Sequence, residues 1–152
     1  MSLETKIPPP AVALVCAAVM WLLSRLGDPI PLAFGVRVAA GIALLAVGQG
    51  ISISGMRSFK RAKTTINPFK PDAASSLVSD GVYRFTRNPM YVGLSITLLG
   101  WAAFLANPLA LLPLPLFVLY IDHFQIKPEE RVLATIFGAE YDAYKARVRR
   151  WL

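Results

Sequence analysis

Apolar residues occur along this chain in long uninterrupted runs, and polar residues are concentrated in the segments between them. The first run covers residues 10–26, after three prolines and before the sequence GDPIP, and the second covers residues 34–55. Proline and Gly-Asp-Pro clusters are typical of helix boundaries. Because about 20 apolar residues in a helix cross the hydrocarbon layer of a bilayer, both runs predict membrane-spanning helices.

A third apolar run, residues 92–121, is too long for one span. A helix over this run would measure about 45 Å, whereas the hydrocarbon layer is about 30 Å thick. Asn107 and Pro108 lie at its centre, and proline disfavours helical geometry in the residue before it. The run therefore predicts a helical hairpin, with spans at about residues 89–106 and 108–125.

The composition also favours a membrane protein. Of the 152 residues, 55% are hydrophobic, and the mean hydropathy of +0.52 is high for a soluble domain of this length. We expect an all-α integral membrane protein with four transmembrane helices in a single domain over residues 1–152. Glu4 and only one basic residue, Lys6, precede the first run, so it lacks the basic start of a cleaved signal and predicts a retained helix.

The charged segments predict the orientation of the chain. Seven Lys/Arg residues and two Asp/Glu residues lie in the range 57–87, and six and four in the range 127–150. Since basic segments remain on the cytoplasmic side, we expect a cytosolic loop over residues 57–88 and a multi-pass protein of the cell inner membrane with both termini in the cytoplasm. The net charge of +7 then indicates contact with anionic lipid headgroups, with no nucleic-acid partner.

The C-terminal segment, residues 128–150, has the pattern of an amphipathic cytosolic helix that Gly138 interrupts. Pro128 and the paired glutamates after it suit the first turn of a helix. The segment ends in basic and aromatic residues that are typical of an interfacial anchor. Its apolar stripe and its anchor are formed by Val132, Leu133, Ile136 and Phe137, and by Arg147, Arg149, Arg150 and Trp151.

Two polar clusters should meet at the cytosolic end of the hairpin. Residues 87–91 (RNPMY) lie at the start of the third span, and residues 125–130 (QIKPEE) at the end of the fourth. Guanidinium, amide and phenol donors in the first cluster and carboxylates in the second suit a zwitterion or an amino acid with an extra cation. The sequence has no Cys/His spacing typical of a metal site, and we expect none.

The residues of these clusters resemble a known family. "GVYRFTRNPMYVG" and, after the hairpin, "EERVLATIFGAEYDAYKARVRRWL" are similar to the isoprenylcysteine carboxyl methyltransferase and phospholipid methyltransferase group. Its pattern is G-x-Y-x-x-x-R-[HN]-P-x-Y-x-G, a hairpin, then E-E-x-x-L-x-x-x-F-G-x-x-Y-x-x-Y. The resemblance covers the second half of the chain, whereas the first two spans match only in hydropathy.

The resemblance implies S-adenosylmethionine as methyl donor, with S-adenosylhomocysteine as product, and a membrane-embedded lipid or lipidated acceptor. It places the cofactor pocket at the cytosolic ends of the last two spans, capped by the C-terminal segment. The cofactor-binding residues that it implies are Tyr83, Arg87, Asn88, Pro89, Tyr91, Gly93, Glu129, Glu130, Leu133, Phe137 and Tyr141.

Three residues are candidates for the chemistry itself: His123, Glu130 and Arg131. A carboxylate acceptor, as in an isoprenylcysteine, needs no base, whereas an amine, as in phosphatidylethanolamine, must first lose a proton. His123 is either an interfacial residue or one that contacts the substrate or transfers a proton. Arg131, like Arg84, binds either the substrate or lipid phosphates. Asn88 stands where eukaryotic relatives mostly have histidine, and an amide cannot titrate near neutrality.

Two other classes of protein remain open at this stage. An NADPH-dependent sterol-reductase-like membrane enzyme would need more basic residues and a longer helical core. A non-catalytic small membrane protein would leave Arg87, Glu129 and Glu130 without a shared purpose. The oligomeric state stays undetermined, because the small residues of the second span suit contacts within or between chains. The segment 57–82 is either a connector or a lid.

Overall fold

The computed structural model describes residues 7–62 and 76–152, and within them the chain is helical with no β-strand. Six α-helices follow in order: α1 (Pro9–Leu23), α2 (Phe34–Ala62), α3 (Pro89–Leu105), α4 (Pro113–Ile121), α5 (Lys127–Phe137) and α6 (Ala139–Arg147). Short 3₁₀ turns at Gly81–Arg84 and Pro108–Leu111 precede α3 and α4, and a π-turn at Asp122–Ile126 joins α4 to α5. The question of a lid or a connector falls largely on residues 63–75, which lie outside the described residues.

The chain reverses direction after α3, at the turn predicted for Asn107. α3 ends at Ala106, whose φ of 49° is left-handed. The Asn107 carboxamide then accepts a hydrogen bond from the Leu109 N–H, at 2.9 Å. Its Nδ2 donates to the carbonyls of Ser24 and Gly27, at 3.1 and 2.8 Å. One side chain therefore ties the α1–α2 connection to the α3–α4 connection at the same end of the bundle.

α2 and α3 form the closest helix pair, because glycines face each other along it. A Cβ added to Gly93 would overlap the Ser52 hydroxyl and the Gly48 carbonyl. Close backbone approach of this kind is characteristic of helix pairs in membranes. The polar side chain of Gln49 is accommodated in the same seam, where its Nε2 donates to the Thr97 hydroxyl at 3.2 Å.

α1 and α4 complete the bundle against the opposite side of α3. Met20 of α1 and Phe117 and Ile121 of α4 are among the most buried side chains of the core. The Trp101 indole N–H donates to the Ala17 carbonyl at 3.0 Å, which fixes α3 against α1. The core thus lies between α1, α3 and α4, and the apolar outer face of α2 remains uncovered.

The exposed side chains of the bundle are unusually apolar. Leu14, Phe34 and Ile42 are 73%, 68% and 61% exposed, as expected for helices that contact lipid and not water. Among the described residues, two helical runs are long and apolar enough to span a bilayer, Phe34–Ala62 and Pro108–Phe137. α1 and α3, with 15 and 17 residues, are shorter, so the four-span arrangement stays a prediction for these two helices.

Candidate functional site

The arginine–asparagine–proline motif lies at the start of α3. Pro89 occupies the first turn of α3, where its missing N–H costs no hydrogen bond and its fixed φ favours the helix. Before it, the Asn88 N–H donates to the Thr86 hydroxyl at 3.1 Å. This local geometry, with the 3₁₀ turn at Gly81–Arg84, places Arg87, Asn88 and Tyr91 at one end of the bundle.

The paired glutamates reach the same end of the bundle from the other side of the hairpin. The Tyr91 hydroxyl donates to Glu129 Oε1 at 2.7 Å. An Arg87 guanidinium nitrogen lies 2.9 Å from Glu130 Oε1. The two polar clusters therefore meet, as the hairpin predicted, with one carboxylate bonded to a phenol and the other to a guanidinium.

Arg150 extends this contact into an ion network of five residues, whose last member, Lys127, lies 3.5 Å from Asp122. Its Nε and one terminal nitrogen contact the two oxygens of Glu130, at 3.1 and 2.7 Å. Its other terminal nitrogen lies 3.1 Å from Asp122 Oδ1, in the π-turn. The network runs in the order Arg87, Glu130, Arg150, Asp122, Lys127, so opposite charges alternate along it. Arg150, which we predicted from the sequence to be part of a membrane anchor, thus belongs to the site.

The C-terminal segment is fixed to the motif by its backbone as well. The Arg87 N–H donates to the Arg149 carbonyl at 2.9 Å, and Asn88 Nδ2 donates to the Arg150 carbonyl at 2.8 Å. The Tyr144 hydroxyl donates to the Tyr83 carbonyl at 2.8 Å. Residues far apart in sequence therefore close one side of the site.

Three tyrosines around the motif are neutral hydrogen-bonding groups. Burial raises the pKa of Tyr83 well above its usual value, and the nearby phenol of Tyr144 and carboxylate of Glu129 raise it further. Burial likewise raises the pKa of Tyr141, with a further contribution from Glu130. The pKa of Tyr144 is also raised by burial, which outweighs the opposing effect of Arg87. All three phenols are protonated at neutral pH; Tyr144 already donates to the Tyr83 carbonyl, and Tyr83 and Tyr141 can donate to a ligand.

These groups surround a cavity of about 380 Å³, a volume within the range of small-molecule sites. Its wall combines charged groups at the motif with apolar and aromatic groups from α2 and the C-terminal helices. The predicted site residues that line it are Tyr83, Arg87, Asn88, Tyr91, Glu129, Glu130, Leu133 and Tyr141. The structure thus brings most of the predicted cofactor-binding residues to one cavity, while their roles stay predictions.

Five predicted site residues do not line the cavity: Pro89, Gly93, Phe137, His123 and Arg131. Pro89 and Gly93 instead set the course of α3, by starting the helix and by allowing its close contact with α2. His123 is exposed on the π-turn, where its ring packs edge-on against Phe124. Any part that His123 or Arg131 plays in the reaction therefore remains a prediction.

The sequence analysis missed a wall of the cavity that α2 provides. Ser52, Met56 and Phe59 line it, and the chain between α2 and α3 adds Leu77 and Val78. The small residues at 48, 52 and 55 indicated close contact between α2 and another helix. That contact puts the last turns of α2 beside the motif, but the sequence did not identify α3 as the partner.

A second, apolar groove of about 590 Å³ runs between α1 and α2 with α3 as its floor. Pro10 and Leu94 line both the groove and the cavity, so the two adjoin at these residues. The groove extends from there toward Val38 and Phe104 at the opposite end of the bundle. An apolar chain in this groove would have its head end at the charged cavity.

Arg87 provides a test of whether the cavity suits an anionic group. Its side chain is 11% exposed and lines the cavity, yet Nε has no hydrogen-bond partner within residues 7–62 and 76–152. A buried donor without a partner is costly, and an anionic group beside this guanidinium would be favoured by its charge. With Glu129 nearby as an acceptor, the residues fit the amino-acid part of S-adenosylmethionine, which carries a carboxylate and an ammonium group.

The fold and the site define a helical membrane protein with a charged small-molecule site at the ends of its helices. Residues 36–140 match the phospholipid methyltransferase family, and the chain belongs to this family.

Curated relatives agree with this assignment. Protein-S-isoprenylcysteine O-methyltransferase of Schizosaccharomyces pombe is 30% identical over 115 residues, which are 76% of this chain and 49% of the relative. The Saccharomyces cerevisiae protein of that name is 32% identical over 111 residues, 71% of this chain and 45% of the relative. An uncharacterized protein of Haemophilus influenzae is 49% identical over 63 residues, 41% of this chain and its own full length. The chain spans about half the length of the two yeast enzymes, and no solved structure matches it significantly.

Proposed function

We propose that this protein is an S-adenosylmethionine-dependent methyltransferase that acts on a membrane-embedded lipid or lipidated acceptor. The observation that carries the proposal is the meeting of Arg87, Tyr91, Glu129 and Glu130 around one cavity in a member of this family. Relatives named as O-methyltransferases support the reaction class. The proposal includes four spans, an inner-membrane location and a cytoplasmic site, which the basic segments support.

The cofactor would be held by charge complementarity at its amino-acid end. Arg87 would bind the carboxylate through its guanidinium group, and Glu129 would accept from the ammonium group. Leu133 and Tyr141 would form the wall beside the adenosine. When bound, S-adenosylmethionine would supply a sulfonium-bound methyl group, whose carbon the acceptor would attack in line as the carbon–sulfur bond breaks and S-adenosylhomocysteine leaves; this displacement needs no metal.

The protein's contribution would be alignment and exclusion of water. The apolar groove would hold the acceptor's chain, and because the groove adjoins the cavity at Pro10 and Leu94, the headgroup would lie beside the cofactor site. A carboxylate acceptor needs no base there. For an amine acceptor, the only carboxylates on the described cavity wall are Glu129 and Glu130, and Glu130 is already paired with two arginines.

A binding experiment tests the cofactor assignment. S-adenosylhomocysteine is titrated calorimetrically into the detergent-purified protein, with NADPH as the control ligand for the reductase alternative. We expect saturable binding of S-adenosylhomocysteine alone. Arg87→Ala and Glu129→Gln should weaken it roughly 10- to 100-fold, since each removes one charge-assisted hydrogen bond.

Matched controls come from exposed residues outside the cavity: Arg57→Ala and Glu140→Gln make the same changes of charge and should leave the affinity unaltered. Binding of NADPH, or of neither ligand, would reject the proposed function. Normal binding by both cavity variants would reject the site but not the reaction class. Transfer of a tritiated methyl group to prenylcysteine or to phosphatidylethanolamine would then identify the acceptor as a carboxylate or an amine.

A further inference from the structure

Arg150 contacts the site without lining its cavity. Its guanidinium binds Glu130 with two parallel hydrogen bonds, at 3.1 and 2.7 Å, and binds Asp122 at 3.1 Å. Glu130 is the member of this group that faces the cavity. Any effect of Arg150 on a ligand must therefore pass through Glu130.

Arg150 is held at both ends. Its carbonyl accepts from Asn88 Nδ2 at 2.8 Å and from the Thr86 hydroxyl at 3.3 Å. Its side chain is held by the two carboxylates, of which Asp122 is presented by the π-turn at the end of α4. Such double attachment leaves the guanidinium little freedom to leave Glu130. A flexible interfacial arginine would not have these contacts.

The contacts that Glu130 makes determine which hydrogen-bond donors of Arg87 are left without a partner. Arg87 and Arg150 compete for the same carboxylate, and Arg150 occupies both of its oxygens. Arg87 contacts Glu130 through a terminal nitrogen at 2.9 Å, while its Nε is buried without a partner in the described part of the chain. If Arg150 were absent, Glu130 would be free to take a two-point contact with Arg87, as arginine–carboxylate pairs commonly do.

We propose that Arg150 is a positioning residue: by binding both oxygens of Glu130, it keeps Arg87 turned toward the cavity, with only one guanidinium nitrogen bound to Glu130. The proposal rests on the proposed function, because the ligand is the cofactor of that reaction. It also gives Asp122 a role, since this carboxylate balances the second guanidinium and fixes its orientation.

The test separates positioning from simple attachment of the C-terminal segment. Arg150→Lys keeps the positive charge but replaces the planar fork by a point charge, which cannot bind both oxygens of Glu130 in parallel. We expect the melting temperature of the ligand-free protein to stay near the wild-type value, while the Kd for S-adenosylhomocysteine rises about tenfold. Arg149→Lys is the matched control, because Arg149 is adjacent and exposed, and it should bind like the wild type.

A double-mutant cycle identifies the route of the effect. If Arg150 acts through the orientation of Arg87, then Arg150→Lys should weaken binding in the wild type but cause little further loss in an Arg87→Ala background. Thr86→Val provides the structural comparison, because it removes the hydrogen bond to the Arg150 carbonyl and the acceptor of the Asn88 N–H, and leaves the guanidinium in place. We expect Thr86→Val to lower the melting temperature more than it changes the Kd.

Three results would overturn the positioning role. The first is wild-type affinity in Arg150→Lys, and the second is full additivity with Arg87→Ala. The third is a loss of affinity that follows the melting temperature equally in Arg150→Lys and Thr86→Val. Failure of the wild-type protein to bind S-adenosylhomocysteine would instead reject the proposed function and this role together. A wild-type protein that binds normally therefore isolates the positioning role as the point in question.

Discussion

Asn88 shows how one side chain serves both the local structure and the site. Its amide lines the cavity, and its Nδ2 donates to the Arg150 carbonyl, so it also holds the C-terminal segment. A neutral histidine would offer at most one N–H donor, whereas the amide offers two. Asparagine at this position is therefore suited to binding and orienting its neighbours, and it is not suited to proton transfer.

At the same scale, Tyr91→Phe tests the hydrogen bond that holds Glu129. The change removes the donor 2.7 Å from Glu129 Oε1 and leaves a buried carboxylate oxygen with one partner fewer. We expect a loss of about 1–3 kcal/mol in the free energy of unfolding, together with weaker cofactor binding. Thermal and chemical unfolding in detergent, with S-adenosylhomocysteine titration, measure both effects.

Tyr120→Phe is the control for that change. The Tyr120 hydroxyl is buried and has no hydrogen-bond partner within the residues that the structure describes. Removing it deletes the same atom without breaking a hydrogen bond, so the stability should be unchanged or slightly higher. Equal destabilisation by the two variants would contradict the role given to the Tyr91–Glu129 contact.

At the scale of the helix, the α2–α3 seam sets the width of the cavity, because both helices contribute to its wall. Gly48→Ala would place a methyl group against the Gly93 carbonyl and Thr97, atoms that cannot move without shifting α3. We expect a loss of about 1–3 kcal/mol in stability, as for other overpacked positions, and a lower affinity for S-adenosylhomocysteine.

Gly50→Ala provides the comparison within the same helix. A Cβ at this position would meet no atom within 4 Å, so the change affects helix propensity alone. The stability of Gly50→Ala should equal the wild-type value or exceed it by up to about 1 kcal/mol. If Gly48→Ala were tolerated as well as Gly50→Ala, the seam would not be as tight as described.

The helices that the sequence predicted correctly are those with strong local signals. Prolines start α1 and α3, and Gly138, with a φ of 48°, separates α5 from α6. The π-turn at Asp122–Ile126 had no such signal in the sequence. It presents Asp122 to Arg150, and this contact joins residues 28 positions apart. A wide turn stabilised by a partner distant in sequence cannot be predicted from helical periodicity.

At the scale of the whole molecule, the motif residues of the site could be predicted from the sequence, whereas the shape of the site could not. The motif residues Arg87, Glu129 and Glu130 were identifiable from their types and spacing. The α2 wall and Arg150 were not, because each depends on which helices pack together and on where the C-terminal segment lies. The apolar groove likewise exists only through the assembly of three helices.

The length of this groove leads to a prediction about acceptors. Val38 lies at the end of the groove farthest from the cavity, and Val38→Trp would fill that end. Excluding about two methylene groups of the acceptor at roughly 0.8 kcal/mol each would lower kcat/KM about tenfold for a long-chain acceptor. A short-chain acceptor with the same headgroup should be unaffected, as should S-adenosylhomocysteine binding.

Val36→Trp is the control for the groove, since Val36 is 55% exposed on the same helix and does not line it. Both variants should methylate the short-chain acceptor at wild-type rates. An equal loss with the long-chain acceptor in both variants, or none in Val38→Trp, would show that the acceptor's chain lies elsewhere.

The π-turn has a consequence for how sequence changes propagate through this molecule. A helix advances by about 100° per residue, and a π-turn holds about one residue more per turn than an α-helix. Substitutions that converted Asp122–Ile126 to regular α-helix without a deletion would therefore rotate everything after it by nearly that angle. Glu129 and Glu130 would then face new neighbours although neither had been altered. The π-turn thus sets the orientation of the ligand-facing side of α5 relative to the lipid-facing side of α4. Substitutions in α4 leave the orientation of α5 unchanged only while this turn keeps its geometry.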